Sequence, residues 1–218
     1  MKNDITELVF ILDRSGSMQG LERDTIGGFN GMLEKQRREP GICRITTVLF
    51  DDRYELIHDR LPIDCVRPMD DRTYYVRGCT ALLDAVGRTI ERIVRAQRAE
   101  RPGERADHVM FVIITDGYEN ASRHFDRRDV HRMIGLERER YGWEFIFLGA
   151  NIDAESAAEE LGIARERAVN YCPDARGTQM NFEAVSKAAS CIRNAAPLGS
   201  AWWEDLDADY EARKGEDR

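Results

Sequence analysis

The chain has 218 residues, of which 33% are charged and 42% are hydrophobic, a composition typical of one globular domain. Its net charge of −8 argues against general binding to nucleic acid and to anionic membranes, because both need an excess of basic side chains. No apolar segment approaches the roughly 20 residues that cross a bilayer, and the N-terminus has no signal-peptide pattern, so we expect a cytoplasmic protein without a membrane span.

The cysteines and histidines do not form a metal-ligand pattern. The cysteines are odd in number and include no CxxC pair, and we expect them to be buried thiols in a reducing compartment. The four histidines show no zinc-ligand spacing to the cysteines or to one another. The five cysteines are Cys43, Cys65, Cys79, Cys172 and Cys191.

The N-terminal part of the chain predicts a strand, a helix and a hairpin. Residues 7–12 are almost continuously apolar, which is typical of a strand covered on both faces. Apolar residues at helical spacing over 21–38 predict a helix that ends before Pro40. The β-branched and apolar segments 43–50 and 54–58 predict two strands joined as a hairpin.

The middle of the chain predicts a long loop, a helix and a strand. Residues 59–79 contain two prolines and several charged residues, and loops of this length in compact domains often have functional roles. Residues 81–97 predict an amphipathic helix, with Leu82 and Val86 on its apolar face. The strand predicted over 108–114 is the most apolar of all, so we expect it at the centre of the sheet.

The remaining elements continue the alternation up to an acidic tail. Helices and strands are predicted in turn over residues 126–140, 143–148, 153–161, 168–172 and 178–193. We therefore predict a domain over residues 1–196 and an acidic C-terminal tail over 197–218. We expect the tail to fray, and its Trp202 and Trp203 to pack against the domain.

Strands that alternate with helices favour one fold class. A Rossmann-like, doubly wound α/β fold is predicted, with a mostly parallel six-stranded sheet and helices on both faces. The hairpin places one antiparallel strand at the edge of this sheet.

Oxygen-bearing side chains follow two of the predicted strands and precede one helix. Asp13, Ser15 and Ser17 come after the first strand, Asp116 follows the strand at 108–114, and Thr80 precedes the helix at 81–97. Ligands of open α/β sheets bind beyond the carboxyl ends of the strands. Carboxylates and hydroxyls suit Mg²⁺, Mn²⁺ or Ca²⁺ rather than Zn²⁺. These five side chains would leave at least one position of a six-coordinate ion to an outside oxygen.

The same residues have a simpler interpretation as helix and turn caps. Ser17 could cap the first helix, Thr80 the helix at 81–97, and Asp116 a turn. The acidic residues Asp51 and Glu119 lie in neighbouring loops, where we expect solvated turns.

Taken together, the motifs ELVFIL, DRSGSM, GCTALLDAV and VMFVIITDGYEN resemble a von Willebrand factor A-type domain with a metal-ion-dependent adhesion site. The resemblance covers roughly residues 5–195. It implies that Asp13, Ser15 and Ser17 are loop ligands, Thr80 the fourth ligand and Asp116 the fifth, with some Asp contacts through water. The segment FIFLGANIDAESAAEELGI is similar to stand-alone bacterial members, and its Asn151 could line the site or serve only as a loop residue.

The resemblance implies a binding function and leaves two alternatives. In adhesion-type members a partner's Asp or Glu carboxylate takes the open position of the ion, which we expect to be Mg²⁺. Intracellular members also work in AAA+ ATPase, chelatase-like or tellurite-resistance systems. A metal-assisted hydrolase is disfavoured, because the sequence has no Asp-x-Asp motif at this loop and no P-loop, so we expect no enzymatic activity.

Overall fold

The computed structural model describes residues 4–214. The central strand is a run of nine buried residues, which leaves no polar face for solvent and so requires layers on both sides. The strands are β1 (Ile5–Asp13), β2 (Ile42–Phe50), β3 (Tyr54–Pro62), β4 (His108–Thr115), β5 (Glu144–Gly149) and β6 (Ala168–Asn170). The helices are α1 (Glu22–Arg37), α2 (Leu82–Ala99), α3 (Arg127–Tyr141), α4 (Ala154–Glu160), α5 (Ala175–Arg193) and α6 (Glu204–Arg213).

The six strands form one sheet in the order β3-β2-β1-β4-β5-β6. Only β3 is antiparallel to its neighbour, and it lies at the edge. The predicted fold class is therefore confirmed, including the central position of the strand at 108–114. In the register between β1 and β4, Leu12 lies opposite Ile114, which brings the carboxyl ends of these two strands side by side.

The two faces of the sheet are covered by different helices. The side chains of Leu8 and Phe10 pack with α1, α5 and α6, whereas those of Val9 and Ile11 pack with α2, α3 and α4. Each of these side chains is fully buried, and burial of this kind contributes roughly 1.5–3 kcal/mol per residue. The core thus fixes β1 from both sides and makes its C-terminal end a rigid platform.

The C-terminal segment is folded, contrary to our expectation that it frays. Its residues form α6, and Trp202 and Leu206 are buried against the same core cluster as α5. The segment's acidic side chains pair with basic ones on α5, as between Arg176 and Asp209 at 2.8 Å. The residues at the two ends of the predicted domain and tail, 1–3 and 215–218, lie outside the described part of the chain, and the domain boundary stays a prediction.

The edge strand β3 continues four residues beyond its predicted end at residue 58. The register with β2 shifts on both sides of Thr47, opposite His58, and Arg60 has a φ of 52°. Such irregularities break the alternation of apolar and polar residues on which the prediction depended. A 3₁₀ turn at Ile63–Cys65 follows, so the loop that leads to Thr80 is shorter than expected.

The cysteines form no disulfide, but they are not all buried. Cys43 is buried, as expected, whereas Cys65 and Cys79 are exposed, so the expectation is wrong for these two. Both lie between β3 and α2, where the chain runs over the surface. None of the helices within residues 4–214 combines the length and apolar character needed to cross a bilayer.

Candidate metal site

Three chain segments meet at the carboxyl ends of β1 and β4. Asp13 is the last residue of β1, and Asp116 directly follows β4. The loop after β1 then turns in a short 3₁₀ helix, and the Gly16 N–H donates to the carbonyl of Gly78 at 3.1 Å. This bond holds the segment that carries Thr80 against the loop that carries the two serines.

The three hydroxyls of the predicted ligand set form a chain of close contacts. Ser15 Oγ lies 3.0 Å from Ser17 Oγ, and Thr80 Oγ1 donates to Ser15 Oγ at 3.0 Å. Ser15 and Thr80 are buried, whereas Ser17 is exposed and opens the cluster to solvent. A Cβ on Gly117 would lie 3.1 Å from Ser17 Oγ and 3.4 Å from Thr80 Oγ1, so the backbone after Asp116 also closes on these hydroxyls.

Two buried carboxylates complete the cluster, and they are partnered differently. Asp13 Oδ2 accepts from Thr115 Oγ1 at 2.6 Å, and Asp13 Oδ1 accepts from the Ser15 N–H at 2.7 Å. Asp116 is 2% exposed, and neither of its carboxylate oxygens has a hydrogen-bond partner among residues 4–214. A buried, unsatisfied carboxylate is costly, so a cation bound beside Asp116 would be stabilised by this group.

The pKa shifts reflect the same lack of a counter-charge. Burial raises the pKa of Asp13 to about 6, despite the hydrogen bonds from Thr115 and Ser15, and the charge of Asp116 adds to the rise. Burial also raises the pKa of Asp116. The Ser17 hydroxyl is near enough to offset part of that rise, although it does not reach hydrogen-bond geometry.

The donor set fits a hard divalent cation. Within the described chain no Lys, Arg or His side chain forms an ion pair with Asp13 or Asp116. Two carboxylates and three hydroxyls offer oxygen only, which suits Mg²⁺, Mn²⁺ or Ca²⁺. Residues 4–214 contain no group of three or more His, Cys, Asp or Glu side chains arranged to hold a metal, so any site here depends on the hydroxyls.

The alternative interpretation, in which these residues are caps, is wrong. Helix α1 begins after Leu21 and helix α2 after Ala81, and neither N-terminus receives a side-chain bond from its cap residue. The hydroxyls of Ser17 and Thr80 contact Ser15 instead, and Asp116 accepts no turn bond. The structure thus brings together all five predicted residues, and Ser17, Thr80 and Asp116 do not make the capping bonds that competed with ligation.

The N-terminus of α2 is instead capped by the loop after β4. The Leu83 N–H donates to Glu119 Oε2 at 2.8 Å, and the Thr80 N–H donates to Asn120 Oδ1 at 2.9 Å. The expectation that Glu119 is a solvated turn residue is therefore wrong. A sequence signal existed: α2 follows Ala81, which cannot cap, so its free N–H groups needed acceptors from elsewhere.

Asp84 makes the return connection from α2 to this loop. Its carboxylate accepts from the backbone N–H groups of Arg123, His124 and Phe125 at 3.1, 2.8 and 2.9 Å. Burial opposes ionisation of this carboxyl, but the three N–H groups outweigh it and lower its pKa. The loop that starts at Asp116 and the helix that starts after Thr80 are thus tied together in both directions.

A buried ion-pair cluster supports the other side of the site. Arg14 is fully buried, and its Nε lies 3.1 Å from Asp51 Oδ2, which also accepts from Arg77 Nε at 2.5 Å. Both guanidinium groups lie over the ring of Tyr75, at 5.4 and 5.1 Å from its centroid. Asp51 is therefore a buried ion-pair partner and not the solvated turn residue that we expected. The Arg14 charge is taken up by acids of this cluster, so it is not a counter-charge for Asp13.

The outer rim of the site contains exposed polar and aromatic side chains. Tyr118 is 60% exposed, and its hydroxyl accepts from the Asp153 N–H at 3.3 Å. Asn151 follows β5, is exposed and has a φ of 55°, a conformation that Asn tolerates better than most residues. These features favour a loop role for Asn151 over a place among the ligands.

Comparison with known proteins identifies similar folds only among solved structures. No protein-family model and no curated protein matches the sequence. Proximal thread matrix protein 1 from the mussel byssus, in a form with a zinc-occupied MIDAS motif, aligns with a TM-score of 0.57 and 17% identity over 85% of this chain and 46% of that one. The manganese-loaded TRAP protein of Plasmodium vivax aligns with a TM-score of 0.57 and 16% identity over 84% and 73% of the two chains.

A von Willebrand factor type A protein from Catenulispora acidiphila is also similar, with a TM-score of 0.55 and 12% identity over 85% of this chain and 42% of that one. The chain spans less than half of the length of this protein and of the mussel protein. At these identities the likeness concerns the fold alone.

Proposed function

We propose that this chain, a domain with the von Willebrand factor A fold, is a divalent-cation-dependent protein-binding module. Asp13, Ser15, Ser17, Thr80 and Asp116 would hold the ion, and an Asp or Glu carboxylate of a protein partner would complete its coordination. The observation that carries this proposal is the pair of buried Asp116 oxygens without a hydrogen-bond partner in the described chain.

Charge and donor number support the proposal. A dication would balance the two carboxylates, which otherwise lie in a buried cluster with neutral partners only. Mg²⁺ takes about six oxygen ligands, and the chain offers five at most, so an outside oxygen has a place. Mg²⁺ is our choice of ion, with Mn²⁺ and Ca²⁺ as alternatives of the same hard character. The zinc and manganese in the two similar structures support a divalent ion without selecting among these.

The contacts of the hydroxyls favour binding over catalysis. The side-chain hydroxyls of Ser15, Ser17 and Thr80 hydrogen-bond to one another, and within residues 4–214 none of them contacts an imidazole or an amine that could act as a general base. We therefore propose a non-enzymatic role in the cytoplasm. Turnover of phosphate or ester substrates that requires Mg²⁺ and disappears in Asp13→Ala would contradict it.

The first test measures metal binding by the isolated chain. Titration of Mn²⁺ followed by electron paramagnetic resonance should show one site in the wild type, with Mg²⁺ as the competitor. Asp13→Ala should lose the site. Asp71→Ala is the matched control, since Asp71 is exposed and the hydrogen bonds of its turn are accepted by the neighbouring Asp70 carboxylate. Equal Mn²⁺ binding by all three proteins would refute the assigned ligands.

The second test concerns the partner's carboxylate. Immobilised wild type should retain a partner from the native host's extract in Mg²⁺ and release it in chelator, and Asp13→Ala should retain none. Once the contact is mapped, a Glu→Gln or Asp→Asn change in the partner should abolish the Mg²⁺-dependent part of the affinity. If retention survives both chelator and the Asp13→Ala change, the protein binds its partner by another surface.

A further inference from the structure

A small pocket lies at the edge of the sheet opposite to the candidate metal site. It is formed by the C-terminal ends of α2 and α3 and by the residues that precede β4 and β5. Its volume is 140 Å³. A protein cavity of about 150 Å³ with apolar walls is known to bind benzene, so this space has the size of one small ring.

The pocket has flat, apolar walls. Val94 on α2 and Trp143 just before β5 line it, and Trp143 is 8% exposed. The indole of Trp143 stacks on Phe111 with 5.6 Å between ring centroids. Tyr141 lies 6.5 Å from Trp143, and its ring is tilted by 44°. Aromatic walls at such angles favour a planar occupant, which gains stacked and edge-on contacts.

One acidic side chain of the pocket, Glu137, has no hydrogen-bond partner among the described residues. Glu137 is 3% exposed and lines the pocket, and within the described residues its carboxylate forms no hydrogen bond or ion pair, while its oxygens keep contact with the open space of the pocket. The neighbouring Gln97 differs, because its side chain donates to Glu7 at 3.2 Å and accepts from the Ala106 N–H at 3.0 Å. Glu137 is therefore the acceptor that a ligand in this pocket would meet.

The charges around the pocket determine whether a cationic, anionic or neutral ligand fits best. Burial raises the pKa of Glu137, while the charges of Arg98 and Arg140 lower it. Arg98, Arg105 and Asp107 also line the pocket, so its two basic side chains balance Asp107 and Glu137 and no net charge attracts a cation or an anion. An anion would lie against the carboxyl group of Glu137 and would be repelled.

We propose that this pocket binds a small, neutral, planar aromatic molecule with one hydrogen-bond donor. The ring would lie against Trp143 and Tyr141, and the donor would bond to the Glu137 carboxyl group. A ligand that fills the pocket displaces water from this acceptor, so a ligand without a donor leaves the carboxyl group unsatisfied and binds more weakly.

The test uses four probes of similar size: phenol, toluene, benzamidine and benzoate. Binding is followed by the NMR shift of the Trp143 indole N–H, which is assigned with Trp143→Phe. We expect phenol to bind about tenfold more tightly than toluene, the difference that one hydrogen bond to a carboxyl group makes. Benzamidine should bind no more tightly than phenol, and benzoate should bind least.

Two variants separate the hydrogen bond from the cavity. Glu137→Leu should weaken phenol binding about tenfold, to the level of toluene, and leave toluene unaffected or tighter. Val94→Phe should fill the space and abolish binding of both, while its thermal unfolding shows that it is folded. Asp71→Ala, an exposed position outside the pocket lining, should leave the binding of both probes unchanged.

Several outcomes would overturn the assignment. The wild type would bind phenol and toluene equally, or would bind benzamidine more tightly than phenol. Phenol binding would be the same in Glu137→Leu as in the wild type. The NMR shifts would not saturate at phenol concentrations up to its solubility.

Discussion

Strand β1 has a buried carboxylate near each of its ends, and the two are held in different ways. Glu7 and Asp13 are both at most 1% exposed, and both lie on a strand with no solvent-facing side. Glu7 has a cation from within the chain, whereas Asp13 has none. Because burial is the same, the difference lies in what each carboxylate has for a partner.

The Glu7 end of the strand forms a closed network. Arg60 Nε donates to both carboxylate oxygens of Glu7, at 2.8 and 2.9 Å, and Gln97 Nε2 donates at 3.2 Å. Arg60 also pairs with Glu100 at 3.0 Å. Burial raises the pKa of Glu7, and the Arg60 bond opposes the rise. Here the charge is satisfied by the fold itself, so the cluster is structural.

The Asp13 end is an open network. Its donors are the neutral groups of Thr115 and Ser15, and the nearest charge is a second carboxylate, Asp116. A pair of buried acids with neutral donors only is unfavourable unless a cation joins it. The contrast along one strand supports the proposal that the Asp13 end holds a cation. Four substitutions test it, in order of decreasing effect.

The largest effect is expected when Glu7 is deprived of its cation. Arg60→Met should destabilise the fold by about 3–5 kcal/mol, because it leaves a buried carboxylate uncompensated. Urea unfolding measures the change. The double variant Glu7→Gln with Arg60→Met should recover most of it. A loss below about 1 kcal/mol in Arg60→Met would show that the network is not the closed one described.

The opposite sign is expected at the other end of the strand. Asp116→Asn removes an unpartnered buried charge, so in chelator the variant should be at least as stable as the wild type. At a concentration about 100 times the dissociation constant, Mg²⁺ should stabilise the wild type by about 2.7 kcal/mol and leave Asp116→Asn unaffected. Urea unfolding with and without Mg²⁺ provides both numbers. Equal stabilisation of the two proteins would remove Asp116 from the ligand set.

The five members of the candidate site could be predicted because their positions follow from local rules. Each lies next to the end of a strand or the start of a helix, and parallel strands bring their carboxyl ends to one edge. Strand and helix periodicities likewise predicted a mostly parallel six-stranded sheet with one antiparallel edge strand, although the order of the strands comes from the structure alone. Helix α6 was not predicted, because its apolar contacts, Trp202 and Leu206, are sparse among acidic residues.

The partners of Glu7 could not be predicted, and the reason is distance along the chain. Arg60 is 53 residues away and Gln97 is 90 residues away. The apolar residues around Glu7 predict a strand, but they do not indicate which side chain pairs with Glu7. The same holds for Asp84. The backbone N–H groups that donate to its carboxylate lie about 40 residues further along the chain, in a loop without regular structure. Side-chain partners across such separations depend on the packed fold, which a one-dimensional pattern does not contain.

A smaller effect is expected at Asp84, which ties the loop after Asp116 to α2. Asp84→Asn keeps the shape but weakens three hydrogen bonds from backbone N–H groups. We expect a loss of about 1–2 kcal/mol in stability and weaker metal binding, since fewer bonds, among them those of Glu119 and Asn120, would still hold the Asp116 loop to the Thr80 segment. Asp71→Ala is the control, because it removes an exposed carboxylate while the backbone N–H groups of its turn bond to Asp70.

The pH dependence of this loss checks its cause. The pKa of Asp84 is lowered in the fold, so its contribution is present above its unfolded value of about 3.9 and disappears as the pH falls through the lower folded value. The gap between wild type and Asp84→Asn should therefore be full at about pH 7 and should shrink below about pH 4. If the stability difference between wild type and Asp84→Asn does not change with pH, the loss comes from altered packing and not from the lost charge.

The smallest effect is expected at Gly117, where the comparison can be sharpened without removing a charge. A Cβ there would lie 3.1 Å from Ser17 Oγ, so Gly117→Ala should push this hydroxyl slightly and weaken Mn²⁺ binding by about threefold to tenfold, with little change in stability. Gly135→Ala is the matched control, because a Cβ at Gly135 meets nothing within 4 Å and the residue lies within α3. It should stabilise the fold by about 0.5–1 kcal/mol and leave Mn²⁺ binding unchanged. If both variants bind Mn²⁺ like the wild type, Ser17 is not a ligand, and the open end of β1 holds its ion with Ser15, Thr80 and the carboxylates only.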